Sequence, residues 1–412
     1  ILLIGYNYAP ELTGIGKYSG EMGAYLAQQG YEVQVITGFP YYPDWKVSPA
    51  YRNGWYHKEN MAGAKVWRCP LYVPARPSGF KRILQELSFF ISSFFALNVL
   101  LLQRKKYDLL MVVSPSFLSG WVGLWYRLWN RKTRMIYHVQ DLQIDAARDL
   151  GLLKNHTLLK ILFSLEKFVL RKSDRISTIS PGMQQKIMDK GIDRAKTFLL
   201  PNWVDVAAIR PLPQKESLRK ELGLKDSSKV ILYSGNLGEK QGLSALVELS
   251  KALSEVEDVE LLICGAGAAK AGLMARAEGL KNIHFVDLQP VEKLPALLAT
   301  ADIHLVLQKK AASDLVMPSK LTGIWAAGGC AVITAAPGTN LYQLVKEHHL
   351  GILAEPDSDE ALLAAVKQAL SQNLAVYRKN ARTYAEERLS KGGILSAFDV
   401  EIKQILPAER LA

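Results

Sequence analysis

Three short stretches pair glycine with a basic side chain in a way that suits binding of a diphosphate. In "YSGNLGEKQGL", Gly235, Asn236, Gly238 and Gly242 surround Lys240 directly after the apolar run "KVILY". Backbone N–H groups stripped of side chains, together with one ammonium, are what two phosphates require. The spacing is not that of a Walker loop, and no Ser or Thr follows the lysine. "CGAGAAKAG" places Gly265 and Gly267 after another apolar run, half of a dinucleotide fingerprint whose third glycine is missing. In "MPSKLTGI", Pro318 and Ser319 open a helix with Lys320 in its first turn, a second candidate phosphate ligand. Each has a plainer reading: a solvated lysine in a turn, a tight turn, and an exposed helical lysine.

The first half offers two more candidates. Gly14 and Gly16 lie in "YNYAPELTGIGKYSGEM", between a buried strand and a helix that ends near Gly30. That turn falls at the carboxyl edge of a parallel sheet, where doubly wound folds bind ligands. A plain tight turn explains the same pair. His138 ends a strand in "YHVQDLQIDA", ahead of Asp141 and Asp145. There it would bond a sugar hydroxyl or move a proton, or serve as a core histidine. "DSDE", Asp357 to Glu360, imitates a metal-binding pair, but the helical run after it makes it a helix cap. We expect no metal.

The elements that must position these residues alternate. Strands are predicted at Leu2–Gly5, Glu32–Thr37, Lys65–Cys69, Leu109–Ser114, Met135–His138 and Arg175–Ile179. A second series follows at Val230–Ser234, Glu260–Cys264, Ile283–Val286, Ile303–Leu307 and Ala331–Thr334, with helical runs between. At 412 residues the chain exceeds one ordinary core. The prediction is an α/β protein of two doubly wound domains, each with a parallel sheet, spanning 1–203 and 204–385. "LPNWVDVAAIRPLP" connects them, and a last helical segment within 386–412 packs back on the first domain. Strand-like residues begin at Ile1, with no signal-peptide pattern. Cys69, Cys264 and Cys330 are too scattered for a disulfide framework and suit a reducing cytoplasm.

Charge is uneven. Residues 1–200 hold 27 Lys and Arg against 14 Asp and Glu, a net +13, while 201–412 hold 24 against 25. Nucleic acid or an anionic membrane surface would answer such an excess. No nucleic-acid-binding motif accompanies it. "KRILQELSFFISSFFALNVLLLQRKK", Lys81 to Lys106, is apolar for about 20 residues, long enough to span a bilayer. Its Gln, Glu, Ser and Asn residues favour a helix lying in the interface instead, with Arg82, Arg104, Lys105 and Lys106 on anionic head groups. Phe89, Phe90, Phe94 and Phe95 would enter the bilayer, and "WVGLWYRLWNRK" would lie at the same depth. The alternative is two core-facing helices.

"PELTGIGKY", "PYYPDW", "VWRCPLYVP", "STIS", "LPNW", "ILYSGNLGEKQGL", "LPALL", "MPSKLTGI" and "GGCAVIT" stand in an order that resembles the retaining GT-B glycosyltransferases of family 4. The resemblance covers nearly the whole chain, and is strongest to the colanic-acid-type fucosyltransferases of bacterial exopolysaccharide clusters. It implies two Rossmann-like domains facing across a cleft, the second holding a nucleotide-diphosphate sugar, with GDP-fucose the expected co-substrate. By that resemblance Gly14 and Gly16 close on the donor phosphates, Lys240 binds the diphosphate, and His138 lies near the sugar. Gly265, Gly267 and the segment Phe285 to Gln289, with Val286, flank the nucleotide. Two departures stand out. Asn236 replaces the family's arginine, and its glutamate pair is missing, Gly323 and the neighbourhood of Leu315 standing in its place. Lys320, Ser319 and Asp314 are the candidates to replace it. The acceptor implied is a lipid-linked glycan, at the cytoplasmic face of the inner membrane. A UDP-sugar transferase, an epimerase or phosphorylase of the same fold, and a non-catalytic scaffold are the competing readings.

Overall fold

The computed structural model describes residues 1–52, 54–76, 79–149, 151, 153, 155–238, 242–310 and 318–406. The chain divides into two units, Ile1–Pro201 with the chain from Leu395 onward, and Asn202–Ile394.

The first unit holds β1 (Leu2–Gly5), β2 (Gln34–Gly38), β3 (His57–Met61), β4 (Ala64–Cys69), β5 (Leu109–Ser114), β6 (Arg134–Val139), β7 (Arg175–Thr178) and β8 (Thr197–Leu199). They lie in the order β3-β4-β2-β1-β5-β6-β7-β8. Every residue of β1 and β5 is buried. Successive side chains point to opposite faces, so both faces are covered and the strands read as unbroken apolar runs. The expectation of a purely parallel sheet is corrected at one edge, where β3 pairs antiparallel with β4. Ala62 and Gly63 join them with φ of 48° and 87°, the two-residue geometry that matches the twist of a hairpin. The strand itself, "HKENM", is polar and mostly exposed, so no apolar pattern announces it.

The second unit holds β9 (Lys229–Ser234), β10 (Val259–Cys264), β11 (Ile283–Val286), β12 (Ile303–Val306), β13 (Ala331–Thr334) and β14 (Gly351–Ala354). All pair in parallel, in the order β11-β10-β9-β12-β13-β14. This is the doubly wound order, and β4-β2-β1-β5-β6-β7 repeats it in the first unit. The strand order reverses between β1 and β5 and again between β9 and β12. Crossovers leave in opposite directions there, opening a crevice at the carboxyl ends of the strands.

Two polar clusters lock the first unit. On the C-terminal helix Lys391–Ile405, Phe398 stacks on Phe198 with centroids 6.3 Å apart. Tyr31 Oη donates to Asp399 at 2.7 Å, and Arg175 pairs with Glu401 at 2.6 Å. Lys190 bridges two buried carboxylates, Asp145 at 2.6 Å and Glu166. Asp145, flagged beside His138 in the sequence, is therefore a structural ligand of Lys190. All three cysteines are buried and free. Removing one partner of a buried ionic cluster leaves the others uncompensated. Lys190→Ala is expected to lower stability by about 3–5 kcal/mol, read as a shifted urea midpoint with an unchanged slope.

Candidate functional site

The loop after β9 builds the second switch point. Gly235 N–H donates to Cys264 O at 2.9 Å, Leu237 N–H to Ala266 O at 2.9 Å, and Ala269 N–H to Leu237 O at 3.0 Å. This lacing brings two backbones into contact. A Cβ on Gly265 would stand 2.1 Å from Gly235 O, and one on Gly267 2.3 Å from Leu237 O. Both glycines thus serve the close approach of the two loops. Gly265 N–H also donates to Val286 O at 3.2 Å, tying in the end of β11.

Lys320 opens the helix Lys320–Ala326, and its side chain reaches this loop. Its Nζ lies 4.0 Å from the centroid of the Tyr233 ring and 3.3 Å from where a Cβ on Gly235 would stand. Tyr233 Oη donates to Asn236 O at 3.0 Å, which fixes the ring under the lysine. Part of the lysine stem is exposed, yet Nζ is buried and has no hydrogen-bond partner among the described residues. Burial pushes its pKa down to about 8. An ammonium removed from water with only an aromatic face beside it is costly until an anion joins it. Ser319 and Asn236 are exposed, and Ser319 makes no side-chain cap. Lys240 and Asp314 lie outside the described residues. Ser358, within "DSDE", caps its helix by accepting from Ala361 N–H at 3.1 Å.

The remaining candidates belong to the first unit. Gly14 adopts φ 62° at the start of the helix Gly14–Gln28, where a Cβ would stand 3.5 Å from the Tyr42 ring. Gly16 makes room for a carboxylate: a Cβ there would lie 2.4 Å from Glu11 Oε2. Glu11 is buried. Its Oε1 accepts from Tyr41 N–H and Tyr42 N–H at 3.1 Å each, and its Oε2 from Asn7 Nδ2 at 2.9 Å. Burial pushes the Glu11 carboxyl up, and these bonds oppose the rise. Sequence reasoning passed over Glu11 and Tyr233, because a carboxylate in "PELTG" and a tyrosine near a strand end look ordinary.

His138 follows the core-histidine reading rather than that of an open ligand. Its Nδ1 is 2.8 Å from Ser177 Oγ and its Nε2 is 2.9 Å from Gln140 Nε2. The Gln140 amide donates, so Nε2 accepts and Nδ1 carries the proton. The ring is 2% exposed, and burial pushes its pKa down to about 3. His138 is a neutral, fully bonded residue, and a sugar contact would require Nε2 to exchange Gln140 for the ligand.

The helix Gly79–Leu102 presents two different faces. Phe89, Ser92, Ser93, Ala96 and Leu97 are buried in the first unit, and Phe89 meets Tyr6 edge to face at 5.4 Å. Phe90 and Phe94 are half-buried, Phe94 against Trp125 at 5.4 Å. Of the four phenylalanines singled out, only Phe95 is exposed, at 61%. Phe80, Ile83, Leu87, Ile91, Val99 and Leu102 continue its stripe at helical spacing. Leu128 and Trp129 of the helix Leu118–Trp129 are exposed too, as are Leu158, Ile161, Leu165 and Phe168 of the helix His156–Lys172. Trp121 stacks on Phe168 at 5.2 Å, joining the last two helices. Arg82, Arg104, Lys105 and Lys106 are exposed. The three helices carry only two carboxylates, Glu86, which is half-buried, and Glu166, which is buried.

Comparison with known proteins matches this geometry to one family. Residues 13–203 match the glycosyl transferase 4-like domain and residues 214–388 the glycosyl transferases group 1 domain. The chain is 43% identical over 412 residues to a protein of Escherichia coli K12 named for colanic acid biosynthesis, glycosyl transferase WcaI. That alignment covers 98% of this chain and 99% of the relative. Among solved structures, sucrose-phosphate synthase of Thermosynechococcus elongatus superposes with a TM-score of 0.76 at 18% identity, covering 98% of both chains. Anabaena HepE in complex with UDP-glucose superposes with a TM-score of 0.68 at 15% identity, over 98% of this chain and 99% of that one. With both domain types in sequence, a full-length relative and two doubly wound units, the chain belongs to the GT-B glycosyltransferases, the family its sequence motifs resemble.

Proposed function

We propose that this glycosyltransferase moves fucose from GDP-fucose to a lipid-linked glycan during exopolysaccharide synthesis, with retention at the anomeric carbon and without a metal ion. The name of the Escherichia coli relative supports the polysaccharide assignment. The observation that carries the donor site is the Lys320 ammonium, buried without a hydrogen-bond partner among the described residues beside Gly235. A diphosphate there would supply the missing anion. As the bond from the anomeric carbon to the phosphate oxygen breaks, Lys320 and Lys240 would stabilise the charge on the departing diphosphate. The acceptor hydroxyl attacks from the same face, and its proton passes to a phosphate oxygen.

The exposed apolar stripes of the three helices support binding at the cytoplasmic face of the inner membrane. With one face of the helix Gly79–Leu102 buried in protein, the opposite face would lie in the bilayer interface rather than span it. Basic side chains at its ends and the absence of exposed carboxylates along it suit anionic lipid.

Three measurements test this reading. Calorimetry should show selective GDP and GDP-fucose binding, weakened about 10- to 100-fold in Lys320→Ala and in Lys240→Ala, the loss of one charged contact. Selective UDP-sugar binding, as in the Anabaena complex, would replace the donor, and no nucleotide binding by folded protein would favour a scaffold. The pH profile is specific to Lys320. Its lowered pKa, about 8, means the free site loses its charge as pH rises through 8. A bound diphosphate favours the charged form, so binding near pH 8 should take up protons and GDP affinity should fall above it. Buffers of different ionisation enthalpy would detect the uptake, which Lys320→Ala should abolish. Replacing Ile91 and Phe95 together by Ser should cut partitioning to phosphatidylglycerol vesicles at least about tenfold, and equal partitioning would remove the membrane role.

A further inference from the structure

Lysine side chains ordinarily bury the stem and keep the ammonium in water. Lys320 does the reverse, with Nζ buried and part of the stem exposed. Some neighbour must hold the head in, because a turn of the side chain toward solvent would recover its hydration. The group in place is Tyr233, whose ring centroid lies 4.0 Å from Nζ. We infer that Tyr233 is a positioning residue for the transfer reaction, on the reading that Lys320 is a donor ligand. Its ring face holds the ammonium out of water and aims it at the ligand's anion.

Three observations carry it. First, the ring cannot move aside. Tyr233 is fully buried in the core of the second unit, and its Oη is spent on Asn236 O at 3.0 Å. The residues on either side of Asn236 are laced to the loop after β10, Gly235 N–H to Cys264 O and Leu237 N–H to Ala266 O, each at 2.9 Å. Second, the root of the lysine is fixed. In the turn that opens its helix, Leu321 N–H donates to Pro318 O at 3.0 Å and Thr322 Oγ1 donates to Ser319 O at 2.8 Å. Third, space is kept beside the ammonium. Gly235 adopts φ 139°, which favours glycine, and a Cβ there would stand 3.3 Å from Nζ. An aromatic face also suits the task better than a carboxylate would. It attracts a cation without taking up its N–H groups, so these stay available for phosphate oxygens. Burial raises the Tyr233 phenol, so the ring faces Lys320 as a neutral group. Burial is likewise the cause that lowers Lys320, with no charged side chain among its causes.

The test reads Lys320 directly, by NMR titration of the full chain carrying isotope-labelled lysine, its resonance assigned by its loss in Lys320→Arg. Two variants keep the ring's shape and so the fold. Tyr233→Phe removes only the hydroxyl and should leave the Lys320 titration near that of the wild type. Trifluorophenylalanine at position 233 withdraws electrons from the ring face, which weakens its hold on a cation. It should lower the Lys320 titration by about half a pH unit or more, about a threefold loss of proton affinity. The pH above which GDP affinity falls, about 8 in the wild type, should move down by the same amount. An unchanged Lys320 titration in the fluorinated variant overturns the inference, as does an equal shift in Tyr233→Phe. A titration that responds to fluorine in a protein that binds no GDP would uphold the ring's hold on Lys320 and strike the donor reading instead.

Discussion

A parallel sheet covered on both faces can present chemistry only at its ends, and this constraint governs both units. With β1, β5, β9 and β12 apolar and buried almost throughout, none of these central strands has a free face for a ligand. Polar groups collect where the strand order reverses, at β1/β5 and β9/β12. Glycine is required there for two distinct reasons. Gly16 yields volume to a buried carboxylate, and Gly265 and Gly267 yield it to a neighbouring backbone. Contact with a phosphate is a further possibility for such loops, but their own packing already demands the small residue.

The two switch points are electrostatically opposite. The second contains an ammonium, Lys320, with an aromatic face and no hydrogen-bonding partner among the described residues. The first contains a carboxylate, Glu11, supplied with three N–H donors. A cation left in want of an anion suits a charged donor group. A carboxylate so supplied fixes the backbone of Tyr41 and Tyr42 in place. The contrast rests on interactions within each unit separately.

The long apolar helix shows why composition alone is ambiguous. Its mean hydropathy would suit a spanning segment, but Gln85, Ser92 and Ser93 face inward with Phe89 while Phe95 and Ile91 face out. An ordinary amphipathic helix is polar outside. Here the exposed side is the more uniformly apolar, and two neighbouring helices continue it. Patches of that extent mark interaction surfaces rather than scattered exposed residues.

The central strands, the repeated βα alternation and the doubly wound class were legible in the sequence, because buried parallel strands are short apolar runs that local composition reveals. The family followed from long motifs in order. Edge strands β3, β8 and β14 were not legible: the first is polar, and pairing rather than hydropathy defines such strands. Lys320 could be named from "MPSKLTGI", but its desolvation depends on Tyr233 and Gly235, more than 80 positions away. His138 read equally as a sugar ligand or a core histidine, and tertiary structure made it a neutral, bonded ring through Ser177, 39 positions on, and Gln140. Glu11 drew no notice, since only folding brings the amides of Tyr41 and Tyr42 to it. Sequence thus determined which backbone segments form and which residue types lie at their ends. Tertiary structure decided which of those residues are charged, buried or free, because solvation and partners come from segments distant along the chain.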